Sequence, residues 1–171
     1  GRESLKLLEC VLGSIGESKG RTNKPLGKLL DLGSGSGALS LALAPHAEKT
    51  LGIELSGAAV SWATATARAQ AVNAAAFVHA RIGGPEADAA ARAFGPADTV
   101  VFNPPMAVPC GASRPSRDGG KLGIELPALF LGFAHRHLKN GGTAHLLATN
   151  PVMNGGGRGL FLDGLSSASG R

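Results

Sequence analysis

Three glycines and two acidic residues form the first pattern in the sequence that could do chemistry. Gly33, Gly35 and Gly37 follow a short apolar run, and Asp31 stands just before them. Glycines let the backbone turn sharply and approach a ligand closely. Glu54 ends the next apolar run, where a carboxylate can accept hydrogen bonds from both hydroxyls of a ribose. This spacing predicts a binding site for a cofactor that contains a nucleoside.

The position of Asp31 favours one class of cofactor over another. A carboxylate directly before the glycines would repel a pyrophosphate, but it can pair with a cationic group. S-adenosylmethionine carries an ammonium group and no phosphate, so we expect it rather than a nicotinamide dinucleotide. The predicted cofactor-binding residues are Asp31, Gly33, Ser34, Gly35, Gly37, Glu54, Leu55 and Asn103.

A second chemical pattern follows the fourth apolar run, at Asn103-Pro104-Pro105-Met106. Two prolines cannot continue a central strand, because neither donates to the ladder. They therefore hold the asparagine in a stiff backbone at a strand end. The Asn103 side-chain carbonyl and the Pro104 backbone carbonyl can each accept a hydrogen bond. We expect these two residues to be catalytic by orienting a planar N–H group, and Asn103, Pro105 and Met106 to contact the substrate.

The elements that would position these residues alternate along the chain. Apolar runs predict five strands near residues 28–32, 50–55, 75–82, 97–103 and 143–150. Helical patterns cover residues 3–15, 37–46, 57–73 and 121–138, with Ser56 as an N-cap and a turn at Asn140-Gly141-Gly142. Alternating strands and helices indicate an α/β fold, a Rossmann-like doubly wound, mainly parallel sheet that lacks its last strands.

We interpret the chain as one domain covering residues 1–171. It comprises an N-terminal helix and loop (1–25), a core (26–152) and a Gly/Ser-rich tail (153–171). Ligands of such open sheets bind beyond the carboxyl ends of the strands. The glycine pattern and the asparagine should therefore meet at one edge.

The glycine pattern at 31–37, together with Glu54, resembles the first two motifs of class I S-adenosylmethionine-dependent methyltransferases. The Asn-Pro-Pro motif is similar to that of members that methylate amino groups, although Met106 replaces an aromatic residue. The turn at 118–123 and a hydroxyl at Ser4 extend the resemblance to HemK-like protein glutamine methyltransferases, over residues 2–152. The resemblance implies methylation of a protein glutamine amide, with a release-factor-like protein as the partner.

One position departs from this family. Its members often carry an aspartate after the third strand that bonds the adenine amino group. Here that stretch is Ala80-Arg81-Ile82-Gly83-Gly84. Glu86 or a backbone carbonyl could take the role, and the sequence does not choose between them.

Composition limits the remaining functions. The net charge of +5 permits a nucleic-acid partner, and Arg114, Arg117 and Lys121 beyond the site would suit phosphates. The two cysteines, Cys10 and Cys110, form no disulfide framework, which favours the cytoplasm. No apolar stretch is long enough to span a membrane, and no zinc-type His/Cys pattern indicates a metal.

Two other functions stay open beside the glutamine methyltransferase. The first is a methyltransferase acting on a nucleobase amine of RNA or DNA. The second is a non-catalytic, methyltransferase-like binding subunit, consistent with Met106 and the missing adenine aspartate.

Overall fold

The computed structural model describes residues 2–17, 25–105 and 125–148. Its strands are β1 (Lys28–Leu32), β2 (Lys49–Glu54), β3 (Ala75–His79), β4 (Ala97–Phe102) and β5 (Leu138–Leu146). Its helices are α1 (Arg2–Glu17), α2 (Ala38–Leu43, continued by a 3-10 turn at Ala44–His46), α3 (Gly57–Ala69), α4 (Pro85–Phe94) and α5 (Glu125–His137).

The five strands form one sheet in the order β3-β2-β1-β4-β5, and every pairing is parallel. Parallel neighbours need crossover connections, and helices supply them here. The predicted Rossmann-like, doubly wound α/β fold is therefore confirmed. The strand order reverses direction at β1, so the carboxyl ends of β1, β2 and β4 lie side by side at the edge where such folds bind ligands.

The chain divides into two compact units. The first comprises Gly1–Asn103 with Leu129–Leu147 and holds the whole sheet. The second comprises Pro104–Ala128 with Ala148–Arg171. Within the second unit the structure describes residues 104–105, 125–128 and 148. The predicted Gly/Ser-rich tail, the turn at 118–123 and Met106 lie outside the described residues.

One face of the sheet is covered by α1 and α2. Leu7 and Val11 of α1 pack with Leu39 and Leu43 of α2, and Val101 of β4 belongs to the same buried cluster. Leu7 and Val11 are four residues apart and so lie on one side of the helix, whereas Leu5 and Leu12 are exposed. The predicted N-terminal helix is thus confirmed, and its buried side fixes it to the sheet.

The other face carries aromatic residues of α5. The rings of Phe102 in β4 and Phe130 in α5 are stacked with centroids 5.4 Å apart.

Helix α4, which the sequence pattern did not predict, makes polar contacts with α5. Asp88 accepts a hydrogen bond from His137 Nε2 at 2.6 Å and forms an ion pair with Arg136 at 3.2 Å. These bonds, the His137 bond first, lower the pKa of Asp88.

The prediction of a turn at 140–142 followed by a strand from 143 was wrong. Strand β5 already begins at Leu138, and its register with β4 shifts between the pairs Ala97–Leu138 and Thr99–Thr143. The extra residues form a bulge in which Gly141 adopts a φ of +78°. Because glycine tolerates this left-handed conformation, the bend is absorbed inside the strand.

Candidate functional site

The glycine loop leaves β1 and enters α2 in a conformation that favours glycine. Gly33, Gly35 and Gly37 have φ angles of +64°, +55° and +81°. The Gly33 N–H donates to the carbonyl of Ile53 in β2 at 2.8 Å, and the Gly37 N–H donates to the carbonyl of Ser34 at 2.9 Å. The loop is therefore attached to the end of β2 and closed on itself, and its three positive φ angles would strain any other residue.

Close packing beneath the loop leaves no room for a side chain at Gly52 or Gly37. A Cβ atom at Gly52 in β2 would lie 2.5 Å from the Phe77 ring and 2.7 Å from Ser34 Oγ. A Cβ atom at Gly37 would lie 2.9 Å from both Phe77 and Ala63. The Phe77 ring thus occupies the space that side chains at these two positions would need. At Gly35, by contrast, a Cβ would meet nothing within 4 Å, so the outer side of the loop is open.

The carboxylate of Glu54 joins the ends of the loop and of β2. Its Oε2 accepts the Gly35 N–H at 2.9 Å, and its Oε1 accepts the Ser56 N–H at 2.8 Å. Each carboxylate oxygen has a further lone pair. Ser56 also caps α3, because its hydroxyl accepts the Ala59 N–H at 3.3 Å, which confirms the predicted N-cap.

Leu55 follows Glu54 with 48% of its surface exposed. Its backbone is held from β3, since His79 Nε2 lies 2.8 Å from the Leu55 carbonyl oxygen. A carbonyl only accepts, so this ring nitrogen carries a proton. The result is an exposed apolar side chain beside Glu54 on a fixed backbone. Sequence reasoning missed His79, because its contact joins the end of β3 to the residue after β2.

Asp31 lies beneath the loop rather than on its surface. Its side chain is 2% exposed, and its Oδ2 accepts a hydrogen bond from Ser40 Oγ of α2 at 2.6 Å. Burial raises the pKa of Asp31 to about 7, and the nearby charge of Glu54 acts in the same direction. The bonds from Ser40 oppose this shift because they favour the charged form. Ser40 was not predicted as a site residue, although it lies in the first turn of α2.

Ser34 carries a buried hydroxyl in the glycine loop. Its Oγ is buried and has no hydrogen-bond partner among the described residues. A buried hydroxyl without a partner costs about 1–3 kcal/mol. A similar orphan is Thr50 Oγ1 in β2, which shares a sheet face with Gly52.

Asn103 directly follows β4, which ends at Phe102. The Leu147 N–H donates to the Phe102 carbonyl at 3.1 Å, so sheet pairing continues to the residue before Asn103. The Asn103 Nδ2 donates to Ser4 Oγ of α1 at 2.9 Å. The next residue, Pro104, is buried and Pro105 is half-buried.

The structure therefore brings most predicted site residues to one edge of the sheet. Asp31, the loop and Glu54 belong to the connected ends of β1 and β2, and Asn103 directly follows the neighbouring strand β4. Glu86, one of the two candidates for binding adenine beside a backbone carbonyl, lies exposed in the first turn of α4. Within residues 2–17, 25–105 and 125–148, no cluster of His, Cys, Asp or Glu could hold a metal ion. In the same ranges, no helix is long and apolar enough to cross a membrane.

Comparison with known proteins supplies a family. Residues 20–153 match the family model described as the methyltransferase small domain. No match was found among curated proteins.

Several solved structures share the fold. The T. thermophilus 16S rRNA N2 G1207 methyltransferase, solved with AdoMet and guanosine, is 25% identical, with a TM-score of 0.63 over 90% of this chain and 36% of that chain. A SAM-dependent methyltransferase from Agrobacterium tumefaciens is 19% identical, with a TM-score of 0.59 over 88% and 45%. One from Clostridium acetobutylicum is 18% identical, with a TM-score of 0.58 over 84% and 49%. The chain thus spans less than half the length of each of these three proteins.

Proposed function

Because the chain belongs to the methyltransferase small domain family, we propose that it binds S-adenosylmethionine at the glycine loop and transfers the methyl group to a planar nitrogen. The observation that carries this proposal is the placement of Asn103 at the end of β4, beside the strand whose end carries the glycine loop. When bound, the cofactor supplies an electrophilic methyl group.

The residues of the loop fit such a cofactor. Glu54 is held by two backbone N–H groups, and the free lone pairs of its oxygens can accept the ribose hydroxyls. The open space beside Gly35 leaves room for the nucleoside, and the exposed Leu55 offers an apolar contact for a flat ring. Asp31 lies beneath the loop with a pKa raised to about 7, and its ionised form, which a nearby cation stabilises, favours a cationic ligand. Direct pairing of Asp31 with the ammonium group is not needed for this effect.

Asn103 and Pro104 would act on the substrate nitrogen. The lone pair of an amide or nucleobase amine is delocalised, so this nitrogen is a poor nucleophile. Two carbonyl acceptors that hold its N–H groups can orient the nitrogen, favouring the arrangement in which its lone pair faces the methyl group. The backbone carbonyl of Pro104 suits this role because the following proline stiffens its position. Pro105 and Met106 would contact the substrate.

We favour an exocyclic amine of guanine in RNA as the substrate. The rRNA N2 G1207 methyltransferase is 25% identical to this chain, and the match covers 90% of this chain. The net charge of +5 suits a phosphate-rich partner. The second candidate is a protein glutamine amide, which the Asn-Pro-Pro motif and the further resemblance to HemK-like enzymes support. Both substrates present a planar nitrogen with N–H groups, so the same pair of acceptors serves either one.

The test is methyl transfer from labelled S-adenosylmethionine to two acceptors, total RNA and a release-factor protein, followed by mass spectrometry. We expect label on guanine. Label on a glutamine side chain instead would support the second candidate. A chain that binds S-adenosylhomocysteine in calorimetry but labels neither acceptor would support a non-catalytic binding subunit. A chain that binds a nicotinamide dinucleotide and no S-adenosylhomocysteine would overturn the proposal.

A variant isolates the role of the asparagine. Asn103→Ala is expected to lower the rate of methyl transfer at saturating cofactor by about 100-fold, the scale of losing one oriented polar group at a reacting centre. Saturation is needed because Asn103 is also a predicted cofactor-binding residue. Methylation at the unaltered rate would contradict the role of this amide.

A further inference from the structure

Ser4 lies where α1 approaches the residue that follows β4, since its hydroxyl contacts Asn103. It precedes Leu7 and Val11 by three and seven residues, so the three side chains share one side of the helix. Leu7 is 3% exposed and Val11 is fully buried. Their packing on the sheet fixes the helix, and the helix in turn fixes the Ser4 hydroxyl.

In the structure, the contact with Ser4 is made by the nitrogen arm of the Asn103 amide. The Nδ2 group donates to Ser4 Oγ at 2.9 Å. The carbonyl oxygen therefore lies on the other arm, turned away from Ser4. Substrate binding in the proposed function needs this carbonyl as an acceptor, because an N–H group of the substrate cannot bond to another donor.

We infer that Ser4 is a positioning residue, which holds the Asn103 side chain so that its carbonyl oxygen faces the substrate nitrogen. This inference rests on the proposed function. An Asn103 side chain that leaves this rotamer carries its carbonyl oxygen away from the substrate nitrogen. The backbone after Asn103 is stiffened by two prolines, so the remaining freedom lies in the side-chain torsions of Asn103. The Ser4 hydroxyl restricts those torsions.

The size of the effect follows from the states that Ser4 excludes. A free asparagine has about three χ1 rotamers. The Ser4 hydrogen bond selects one of them, so its loss lowers the population of the competent state by up to about threefold. We therefore expect Ser4→Ala to lower kcat by about threefold, which corresponds to about 0.6 kcal/mol. The affinity for S-adenosylhomocysteine should not change.

The contact can be measured without any substrate. In the NMR spectrum of the whole chain, the Asn103 side-chain NH₂ signals are assigned by their loss in Asn103→Ala. Ser4→Ala should speed the exchange of these protons with water and should shift the signals, whereas Ser4→Thr should preserve them. Ser14→Ala is the matched control, since Ser14 lies in the same helix and donates to the Val11 carbonyl at 2.7 Å. Unchanged exchange in Ser4→Ala would overturn the inference.

The kinetic arm uses whichever acceptor, RNA or release factor, the unaltered chain methylates. Ser4→Thr should restore kcat, and Ser14→Ala should leave it unchanged. On the Asn103→Ala background, Ser4→Ala should cause no further loss, because there is no amide left to position. A full additional loss on that background would overturn the inference. If the unaltered chain transfers no methyl group, the proposed function fails, while the exchange measurement still decides whether Ser4 holds Asn103.

Discussion

Replacing Asp31 by asparagine is expected to remove a pH dependence of stability that this one carboxyl group creates. Burial raises the pKa of Asp31 from 3.8 to about 7. Between about pH 4 and pH 7 the folded protein keeps this proton and the unfolded chain loses it. The folded state then binds more protons, so the free energy of unfolding falls as pH rises through this window and levels off above it. A shift of about three pH units corresponds to about 4 kcal/mol.

The assay is urea unfolding followed by circular dichroism, with unaltered and Asp31→Asn proteins at several values between pH 4 and pH 8. All other titrating groups are shared, so the difference between the two stabilities isolates Asp31. Relative to the variant, the unaltered protein should lose about 4 kcal/mol over the whole window. Asparagine can still accept the Ser40 hydrogen bond, so the variant is expected to fold.

Asp98→Asn provides a control of opposite sign. Partial burial acts to raise the pKa of Asp98, but bonds from Lys139 and from the Lys28 backbone outweigh it and lower the pKa. The stability that this carboxylate contributes is present above its unfolded pKa and is lost as pH falls through the folded pKa.

Parallel stability curves for the unaltered and Asp31→Asn proteins would refute the reasoning about burial beneath the glycine loop.

Two further substitutions test the neighbourhood of the glycine loop. Gly52→Ala should destabilise the protein by about 1–3 kcal/mol in thermal unfolding, because the new Cβ would overlap the Phe77 ring. Gly13→Ala is the control: a Cβ at this position in α1 meets no atom within 4 Å, so it should stabilise the protein by about 1 kcal/mol. Equal effects at the two sites would contradict the packing argument. Glu54→Gln should weaken binding of S-adenosylhomocysteine by about tenfold in calorimetry, because the amide nitrogen cannot accept the N–H of Gly35 or a ribose hydroxyl; unchanged affinity would exclude Glu54 from the cofactor site.

Local signals in the sequence predicted the elements that carry the site. The glycine pattern predicted a sharp loop, and the structure shows positive φ angles at Gly33, Gly35 and Gly37. Ser56 was predicted as an N-cap and accepts the bond that a cap requires. These features depend on residues within a few positions of one another, so a pattern in one stretch of sequence is sufficient to predict them.

Other features depended on information that a local pattern does not hold. Helix α4 buries only alanines, Ala87 and Ala91, so it shows no stripe of large apolar residues. Its signals were instead Pro85 at the start, acids in the first turn and a glycine after the end. The bulge in β5 carries the same Asn-Gly-Gly signal as a turn, and only pairing with β4 distinguishes the two.

The candidate site was predicted less completely than the fold. Sequence spacing indicated that Asp31 belongs to the site, but not that its side chain lies under the loop against Ser40. The direction of a strand side chain depends on which face of the sheet the neighbouring helix covers. Ser4 and Asn103 are 99 positions apart, and their contact required the packing of α1 on the sheet.

The order of the strands also determines when the site can assemble on the growing chain. Strands β1, β2 and β3 are consecutive in sequence and adjacent in the sheet, so the half that carries the glycine loop can pair through single helical crossovers. Strand β4 must instead cross back over this half to reach β1, and it closes a much longer loop at a higher entropic cost. During synthesis, Asn103 emerges only after the loop and Glu54 have left the ribosome. Nascent chains halted before residue 97 would therefore contain the glycine loop and Glu54 but neither β4 nor Asn103.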